Sequence, residues 1–316
     1  MIKLAQGVKE GNKRSLARAL TIAENGGEPS RDLLRSIFPL PKKRSSIVGI
    51  TGAPGMGKST LISALAEKET RDGRSIAVLA VDPSSPFTGG AILGDRIRFS
   101  NSGSGRVFFR SVASRGHTGG LAVNVPDMLN VLEAAGYEKV VLETVGAGQG
   151  EVEVISCGTT IVVVVAPGTG DEIQAIKAGI LEIADIFVVN KADLDGADKV
   201  VMHLEEMLHS YHGTYDWRPR IVRTMAREGK GLDELAAAIE DHEKYLEGTA
   251  LRSQRLGEAQ SRRLDALLGE QLVRIFLETQ QEKQSRWQEI KEMVLGRQLD
   301  GYSAISQFCK DTGLLK

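Results

Sequence analysis

A glycine-rich stretch at residues 52–60, GAPGMGKST, carries the clearest chemical pattern in the sequence. It follows an apolar, β-branched run and leads into a segment with helical spacing, so it matches the phosphate-binding pattern G-x-x-x-x-G-K-[ST] in context as well as in residues. The residues expected around the phosphates are Gly52, Ala53, Pro54, Gly55, Met56, Gly57, Lys58, Ser59 and Thr60. Glycines let backbone amides turn toward phosphate oxygens, and the helix N-terminus adds partial positive charge. The stretch therefore predicts a nucleoside triphosphate site.

Side chains for the phosphates and for Mg²⁺ follow from the same pattern. Lys58 is expected to reach the β- and γ-phosphates, and the Ser59 hydroxyl is expected to coordinate Mg²⁺. Asp82 ends an apolar run, from which a carboxylate can hold Mg²⁺ directly or through water. Because a proline follows it, turn initiation is the alternative role. Glu143 also ends an apolar run, and the nearby Gly146 amide is expected to bind the γ-phosphate in a nucleotide-sensing switch.

The tetrapeptide Asn190-Lys191-Ala192-Asp193 follows another apolar run and predicts guanine recognition. A carboxylate at Asp193 can accept hydrogen bonds from the N1–H and the exocyclic amino group of guanine, whereas adenine has no such donor pair. Lys191 can lay its methylene groups along the base. Four letters alone are a weak signal, but at a strand end and after a phosphate loop they favour GTP over ATP.

A sheet covered on both faces is expected to position these residues. Apolar, β-branched runs predict strands at 46–51, 75–81, 106–109, 139–144, 160–166, 185–190 and 220–224. Helical spacing predicts helices at 58–71, 121–136, 171–183, 197–211 and 231–245. This alternation indicates a doubly wound, mostly parallel α/β sheet with right-handed crossovers, so the ligand is expected at the carboxyl ends of the strands.

Helices are expected at both ends of the chain. Residues 3–24 are interpreted as two short helices and residues 30–38 as a third, while the strand signal stops after Gly248. The predicted domains are an N-terminal helical extension (1–44), a nucleotide-binding domain (45–248) and a C-terminal helical arm (249–316). The arm carries an apolar stripe of Leu264, Leu267, Leu268, Leu272, Ile275 and Phe276. This stripe must pack either on the same subunit or on a partner subunit.

Composition excludes several classes of protein. Of 316 residues, 41% are hydrophobic and 26% are charged, which is ordinary globular usage and argues against disorder. A formal net charge of −1 gives no overall attraction for nucleic acid or anionic membranes. Two cysteines cannot build a disulfide framework or a four-sulfur zinc site. The N-terminus has no apolar signal-peptide core, and no apolar run reaches the roughly 20 residues of a membrane helix. A cytoplasmic protein is therefore expected.

Five longer stretches of the sequence are characteristic: VDPSSPFTGGAILGDRIRF (81–99), FFRSVASRGHTGGLA (108–122), ETVGAGQGE (143–151), GTGDEIQAIKAG (168–179) and VVNKAD (188–193). Together they resemble the MeaB/ArgK family of P-loop GTPases. The similarity covers nearly the whole chain, although residues beyond about 250 match only in length and helical character. The methylmalonic aciduria type A protein belongs to the same group.

The resemblance implies a fold, an activity and partners. The fold is that of a P-loop NTPase of the SIMIBI class, and the activity is hydrolysis of GTP to GDP with Mg²⁺. The implied role is that of a chaperone for an adenosylcobalamin-dependent acyl-CoA mutase such as methylmalonyl-CoA mutase. It would gate transfer of the cofactor from a cobalamin adenosyltransferase and removal of damaged cofactor. A homodimer through the C-terminal helical arm is also implied.

Further site residues are carried over from the same resemblance. Asp95 joins Asp82 and Glu143 in the acidic metal site, although a Gly-Asp pair is also common in ordinary loops. Residues 146–149 correspond to switch II, and residues 167–178 to a switch that senses the mutase. Lys177 lies in the mutase-sensing switch and Arg98 in the first switch. Both are candidates to stabilise transition-state charge.

Gln149 and two departures from the family's usual pattern bear on the mechanism. Gln149 could orient the attacking water, but it lies three residues after Gly146, which is displaced from the arrangement in signalling GTPases. Gly150 stands where relatives usually have serine, so switch II is expected to be looser. Met225-Ala226 replaces the usual Ser-Ala of the guanine loop, and the Ala226 amide is expected to stay available for the base oxygen.

Two other functions are alternatives. A kinase acting on a periplasmic amino-acid transport protein would need an acceptor site that the sequence does not display, and a metallochaperone GTPase would need a metal-ligand cluster. Three arginines are expected near the nucleotide, either binding phosphate or a partner or forming ordinary surface ion pairs: Arg106, Arg110 and Arg115. Cys157 is expected to be a small buried residue.

Overall fold

A computed structural model describes most of the chain. The described residues are 1–41, 44–82, 107–113, 120–144, 155, 157–168, 183–210, 217–251, 255, 257, 261, 264–265, 267–269, 271–273, 281–296 and 298–313. They form two compact units, Met1–Ala259 and Gln260–Lys316. The expected helix at 171–183 lies almost entirely outside the described residues.

The first unit is built on a seven-stranded sheet in the order β3-β2-β4-β1-β5-β6-β7, in which all the described strand pairs are parallel. The strands are β1 (Ser46–Thr51), β2 (Ile76–Asp82), β3 (Val107–Ala113), β4 (Lys139–Thr144), β5 (Thr160–Val165), β6 (Ile186–Asn190) and β7 (Arg220–Thr224). The predicted α/β class and mostly parallel sheet are therefore confirmed.

The described helices of this unit are α1 (Ile2–Lys9), α2 (Lys13–Asn25), α3 (Gly27–Ile37), α4 (Lys58–Arg71), α5 (Gly120–Ala134), α6 (Ala197–Ser210) and α7 (Leu232–Glu247). Helix α3 begins three residues before the expected start. Gly26, at φ 67°, caps the end of α2 and the start of α3. Gly27 already belongs to α3, so a single residue separates the two helices. Pro29 is tolerated because amides in the first helical turn have no intrahelical acceptor.

Helices cover both faces of the sheet, and successive strand residues enter opposite cores. In β6, Phe187 packs in a core with the N-terminal helices, α5 and α6, whereas Ile186 and Val188 pack in a core with α4 and α7. All five residues of β6 and all six of β5 are buried. This two-sided burial explains why these strands are apolar at nearly every position.

Buried or half-buried charges tie helices to the sheet. Lys139 at the start of β4 binds Glu69 of α4 at 2.7 Å, and both side chains are buried. Arg110 of β3 binds Glu24 of α2 at 2.6 Å and Thr21 at 3.0 Å. Of the two roles expected for Arg110, the structure shows ion pairing. Cys157 is buried, as expected.

A further polar cluster lies at the amino ends of β5 and β6. Asp185 is 3% exposed and accepts hydrogen bonds from both terminal nitrogens of Arg255, at 2.7 and 2.9 Å, and from the Ile161 amide at 2.8 Å. The His242 ring of α7 lies 3.3 Å from the same carboxylate and 2.9 Å from the Thr160 hydroxyl. The cluster joins two strands, α7 and the chain beyond α7.

The described part of the second unit contains helices α8 (Gln281–Leu295) and α9 (Gly301–Asp311). Trp287 packs on Phe308 with ring centroids 4.8 Å apart, beside the buried Ile290 and Ala304. In neither unit is any described helix both long enough and apolar enough to cross a membrane.

Candidate functional site

The glycine-rich loop joins the end of β1 to the start of α4 at the carboxyl edge of the sheet. Two of its glycines are required sterically. At Gly52, with φ 145°, a Cβ atom would lie 2.2 Å from the Val164 carbonyl oxygen, and at Gly57, with φ 89°, it would lie 2.4 Å from Asn190 Nδ2. The backbone therefore passes β5 and β6 too closely for any other residue. The loop leads directly into the N-terminus of α4, and a helix N-terminus favours anions.

Lys58 is the first residue of α4, and its side chain is 6% exposed. Its ammonium group folds back over the loop and donates to the carbonyl oxygens of Gly52 at 2.7 Å and Ala53 at 3.1 Å. These bonds hold a positive charge against the backbone of the loop that is expected to bind phosphate oxygens. The side chain of Met56 is buried in the core.

Ser59 follows Lys58, and its hydroxyl lies beside a carboxylate, so that two oxygens suited to a metal ion come together. The Ser59 hydroxyl donates to Glu143 Oε1 at 2.6 Å, which joins the first turn of α4 to the end of β4. Glu143 is 8% exposed. A hydroxyl and a carboxylate are hard oxygen donors of the kind that Mg²⁺ prefers, so these two residues fit the expected ion. Asp82 ends β2, as expected, and its side chain lies outside the described part.

Asn190 connects the phosphate loop to the β7 loop, although the sequence indicated only that it belongs to the guanine motif. Its side chain is 2% exposed; the amide nitrogen donates to the Met56 carbonyl oxygen at 2.9 Å. The amide oxygen accepts from the Thr224 hydroxyl at 3.0 Å and from the Ala226 amide at 3.2 Å. The Ala226 amide, expected to be available for the base, is thus used by Asn190 in this structure.

Lys191 makes a second link between the guanine motif and the phosphate loop. Its backbone has φ 55°, which is unusual outside glycine, and its ammonium group donates to the Gly55 carbonyl oxygen at 2.8 Å. The side chain therefore reaches from the end of β6 to the phosphate loop. Stacking of its methylene groups on a base stays a prediction.

Asp193 presents an exposed carboxylate next to the loop at 225–230. That loop is closed by the Met225 amide, which donates to the Lys230 carbonyl oxygen at 3.0 Å. A hydrogen bond to Glu228 raises the pKa of the Lys230 ammonium, and the charge of Asp193 contributes in the same direction. Asp193 therefore lies near enough to this loop for its charge to act on Lys230, and its contact with a base stays a prediction.

Five expected site residues lie outside the described residues: Asp95, Arg98, Gly146, Gln149 and Lys177. Gly150 and most of the expected mutase-sensing switch at 167–178 lie there as well. In the part of the chain that is described, no three histidine, cysteine or acidic side chains approach closely enough to hold a metal ion together.

Comparisons with known proteins agree with this geometry. The family model described as methylmalonyl-CoA mutase-associated GTPase MeaB matches residues 16–281. A protein of Pyrococcus abyssi that is named as a GTPase is 42% identical, over 98% of this chain and 96% of its own length. GTPase ArgK of Escherichia coli is 38% identical, over 80% of this chain and 79% of its own length.

A mammalian relative and a solved structure are also similar. The mitochondrial methylmalonic aciduria type A homolog of Mus musculus is 33% identical, over 74% of this chain and 60% of its own length. The crystal structure of a LAO/AO transport system kinase superposes with a TM-score of 0.70 at 27% identity, covering 98% of this chain and 96% of that chain. The sheet architecture of this chain is therefore also found in a solved protein.

Proposed function

The chain belongs to the family of methylmalonyl-CoA mutase-associated GTPases, and from that membership we propose that it hydrolyses GTP to GDP and phosphate. We further propose that the accompanying conformational change gates the loading and repair of adenosylcobalamin in an acyl-CoA mutase. The partner would be methylmalonyl-CoA mutase or a related mutase, with a cobalamin adenosyltransferase as the cofactor donor. The working form would be a cytoplasmic homodimer.

One observation carries the choice of nucleotide. Asn190 and Lys191 of the guanine motif bind the carbonyl oxygens of Met56 and Gly55 at 2.9 and 2.8 Å. The element that can read the base and the element that can bind phosphates therefore form one hydrogen-bonded unit. A nucleotide whose phosphates occupy the loop would place its base beside Asp193, and the acceptor carboxylate there matches guanine and not adenine.

The described residues have distinct tasks in this reaction. The loop amides and Lys58 bind the phosphates, the ammonium exchanging its carbonyl partners for phosphate oxygens, and Asp193 orients the guanine. Ser59 and Glu143 would hold Mg²⁺, which neutralises charge on the β- and γ-phosphate oxygens. Water attacks the γ-phosphorus, the bond to the β-phosphate oxygen breaks, and GDP and inorganic phosphate leave.

Side chains outside the described part complete the proposal. Asp82 and Asp95 would support the metal site, and Gly146 would contact the γ-phosphate. Gln149 is proposed to orient the attacking water, with Lys177 and Arg98 as stabilisers of transition-state charge. Because these residues fall in segments assigned to switches, slow intrinsic hydrolysis that a partner accelerates is expected.

The test is GTP hydrolysis by the purified protein, alone and with a panel of adenosylcobalamin-dependent mutases, using ATP as the control nucleotide. Slow turnover of GTP only, accelerated by one mutase, is the expected result and would identify the partner. GTP turnover that every mutase leaves unchanged would contradict the chaperone role while keeping the GTPase. Lys58→Ala serves as the background control, because losing this ammonium should abolish turnover by the protein itself.

A kinase is the second candidate, because a LAO/AO transport system kinase is similar over nearly the whole chain. It predicts transfer of the γ-phosphoryl group to a protein acceptor, with the acceptor oxygen or nitrogen replacing water as the nucleophile. Incubation with γ-labelled GTP and ATP and a periplasmic amino-acid-binding protein distinguishes the two. Label on the acceptor would favour the kinase, whereas label found only in free phosphate would favour the GTPase.

A further inference from the structure

Two threonines meet where the central strands of the sheet end. The backbone register of β1 and β4 runs from Ser46↔Lys139 to Ile50↔Glu143. The next residue on each strand is Thr51 or Thr144, and the Thr144 hydroxyl donates to the Thr51 hydroxyl at 3.0 Å. Both residues are buried, with exposures of 3% and 0%. Their side chains therefore continue the β1–β4 pairing by one residue beyond the backbone register.

This hydroxyl pair lies directly beside the proposed reaction site. Thr51 immediately precedes Gly52, the first residue of the phosphate loop, and Thr144 immediately follows Glu143. Glu143 in turn accepts the Ser59 hydroxyl at 2.6 Å. One short path, Thr51 to Thr144 to Glu143 to Ser59, thus connects the start of the phosphate loop to both oxygens that fit Mg²⁺.

Packing alone does not call for hydroxyl groups at these two positions. Val140 and Leu142, which precede Thr144 on the same face of β4, are buried and apolar, and valine has nearly the same shape as threonine. A hydroxyl taken out of water lowers stability unless it is hydrogen-bonded. A hydrogen bond has a preferred direction, so it fixes the relative position of the two strand ends more strictly than an apolar contact between two valines would.

We propose that Thr51 and Thr144 are positioning residues that hold Glu143 in register with Ser59, so that the metal-binding oxygens and the phosphate loop keep one geometry. This inference rests on the proposed GTP hydrolysis. Neither threonine touches the nucleotide in this proposal; each acts through Glu143 and the start of the loop. The function of the pair should therefore appear in turnover and in Mg²⁺ dependence more than in GTP binding.

The experiment compares full-length Thr144→Val, Thr51→Val and the double variant with the wild-type protein. About tenfold lower kcat is expected for each single variant, the size of effect produced by one lost buried hydrogen bond, with KM for GTP within about twofold. The Mg²⁺ concentration for half-maximal binding of fluorescent GDP should rise as well. Because the two hydroxyls act as one unit, the double variant should lose no more than either single variant.

Two controls separate positioning from a general loss of stability. Thr144→Ser keeps the hydroxyl and should restore kcat to near the wild-type value. Thr160→Val removes another buried, hydrogen-bonded hydroxyl at the opposite edge of the sheet, and should lower Tm without changing kcat. Equal kcat and equal Mg²⁺ dependence in Thr144→Val and wild type would overturn the inference, as would losses that add in the double variant.

The proposed function and the inference fail separately. A wild-type protein that does not hydrolyse GTP would contradict the proposed function, and the Mg²⁺ dependence of GDP binding would still test the threonine pair. A wild-type protein that hydrolyses GTP, with valine variants as active as the wild type, would contradict only the inference.

Discussion

Asp193 is the residue on which the proposed nucleotide preference depends. Asp193 is exposed three residues after the end of β6, and its charge lies near enough to Lys230 of the loop at 225–230 to act on that ammonium group. Guanine offers two adjacent donors to a carboxylate, namely N1–H and the exocyclic amino group. A single change of the acceptor oxygen to a donor nitrogen should therefore change which base is accepted.

We expect Asp193→Asn to weaken GDP binding by about 1–3 kcal/mol, because an amide nitrogen would then face the amino group of guanine. Xanthine has a carbonyl oxygen in place of that amino group, so the variant should bind xanthosine diphosphate more tightly than the wild type does. Titration with fluorescent nucleotides measures both effects. Asp195→Asn is the matched control in the same loop, and unchanged GDP affinity in Asp193→Asn would refute the proposed contact.

Sequence patterns indicate candidate residues for this site but not the contacts that these residues make. The N-K-x-D pattern includes Asn190, but the three hydrogen bonds of Asn190 join it to Met56, Thr224 and Ala226, which lie 134, 34 and 36 residues away in sequence. Such bonds depend on which strands become neighbours, and a local pattern does not contain that information. Met56 takes part through its backbone carbonyl group, which every residue type has, so the residue type at position 56 does not indicate this contact.

At the scale of elements, the phosphate loop is constrained by how closely it passes the guanine motif. Gly57 has φ 89°, and a Cβ atom there would come within 2.4 Å of the amide nitrogen of Asn190. An added methyl group would thus disturb both the loop and the bridge to β7. Gly136, at φ 78° in the turn after α5, has the same backbone constraint, but a methyl group added there would have nothing within 4 Å.

We expect Gly57→Ala and Gly136→Ala each to lose about 1–2 kcal/mol of unfolding free energy from the left-handed backbone. Only Gly57→Ala should also lose GDP affinity, by about tenfold or more, since it displaces Asn190. Chemical denaturation and nucleotide titration measure the two effects. A Gly57→Ala protein that binds GDP normally would show that the Asn190 bridge does not support the site.

The cluster around Asp185 predicts a pH dependence at the opposite edge of the sheet. Burial alone would raise the pKa of Asp185, but hydrogen bonds from His242 and Arg255 lower it below its usual value of 3.8. Because the folded protein favours the ionised form, the stabilisation is present above pH 3.8 and is lost as the pH falls through the lower folded pKa.

We expect Asp185→Asn to unfold about 1–3 kcal/mol more easily than the wild type at pH 7, because it loses charged hydrogen bonds to Arg255. The difference between the two proteins should stay constant down to about pH 5 and shrink below pH 4. Denaturant titrations between pH 3 and pH 7 test this. A difference that grows toward low pH would show that the ionised carboxylate is not the stabilising form.

The elements themselves were largely predictable, because burial on both faces leaves long apolar runs. Strand β5 is the clearest case, with a run that differs from the observed strand by one residue. The polar cluster was not predictable, since Asp185 and Arg255 are separated by 70 residues. An acidic residue directly before an apolar strand is only a weak signal that a distant partner is present.

At the scale of the whole molecule, three leucines from the apolar stripe of the C-terminal arm are exposed in the part of the chain that the structure describes. Leu264, Leu268 and Leu272 recur every four residues and are 65%, 58% and 57% exposed. Exposed leucines at this spacing form one face of a helix and are typical of a surface covered by a partner. This agrees with the homodimer proposed above.

If the proposed dimer forms through these leucines, Leu264→Glu combined with Leu268→Glu and Leu272→Glu should convert it to a monomer, with about half the mass by light scattering. Because these side chains are exposed within the chain, the thermal stability of the nucleotide-binding unit should not fall. Leu295→Glu is the control, as Leu295 is 83% exposed and lies outside the stripe. A triple variant with the wild-type mass would exclude the stripe as the dimer contact.

The position of β1 at the centre of the sheet has a consequence for synthesis of the protein. Its backbone partners are β4 and β5, and neither begins before Lys139. A nascent chain that has already exposed the phosphate loop still lacks both strands against which that loop is built. Ribosome-bound chains should therefore acquire nucleotide binding only after β5 has emerged, however early the loop itself is translated.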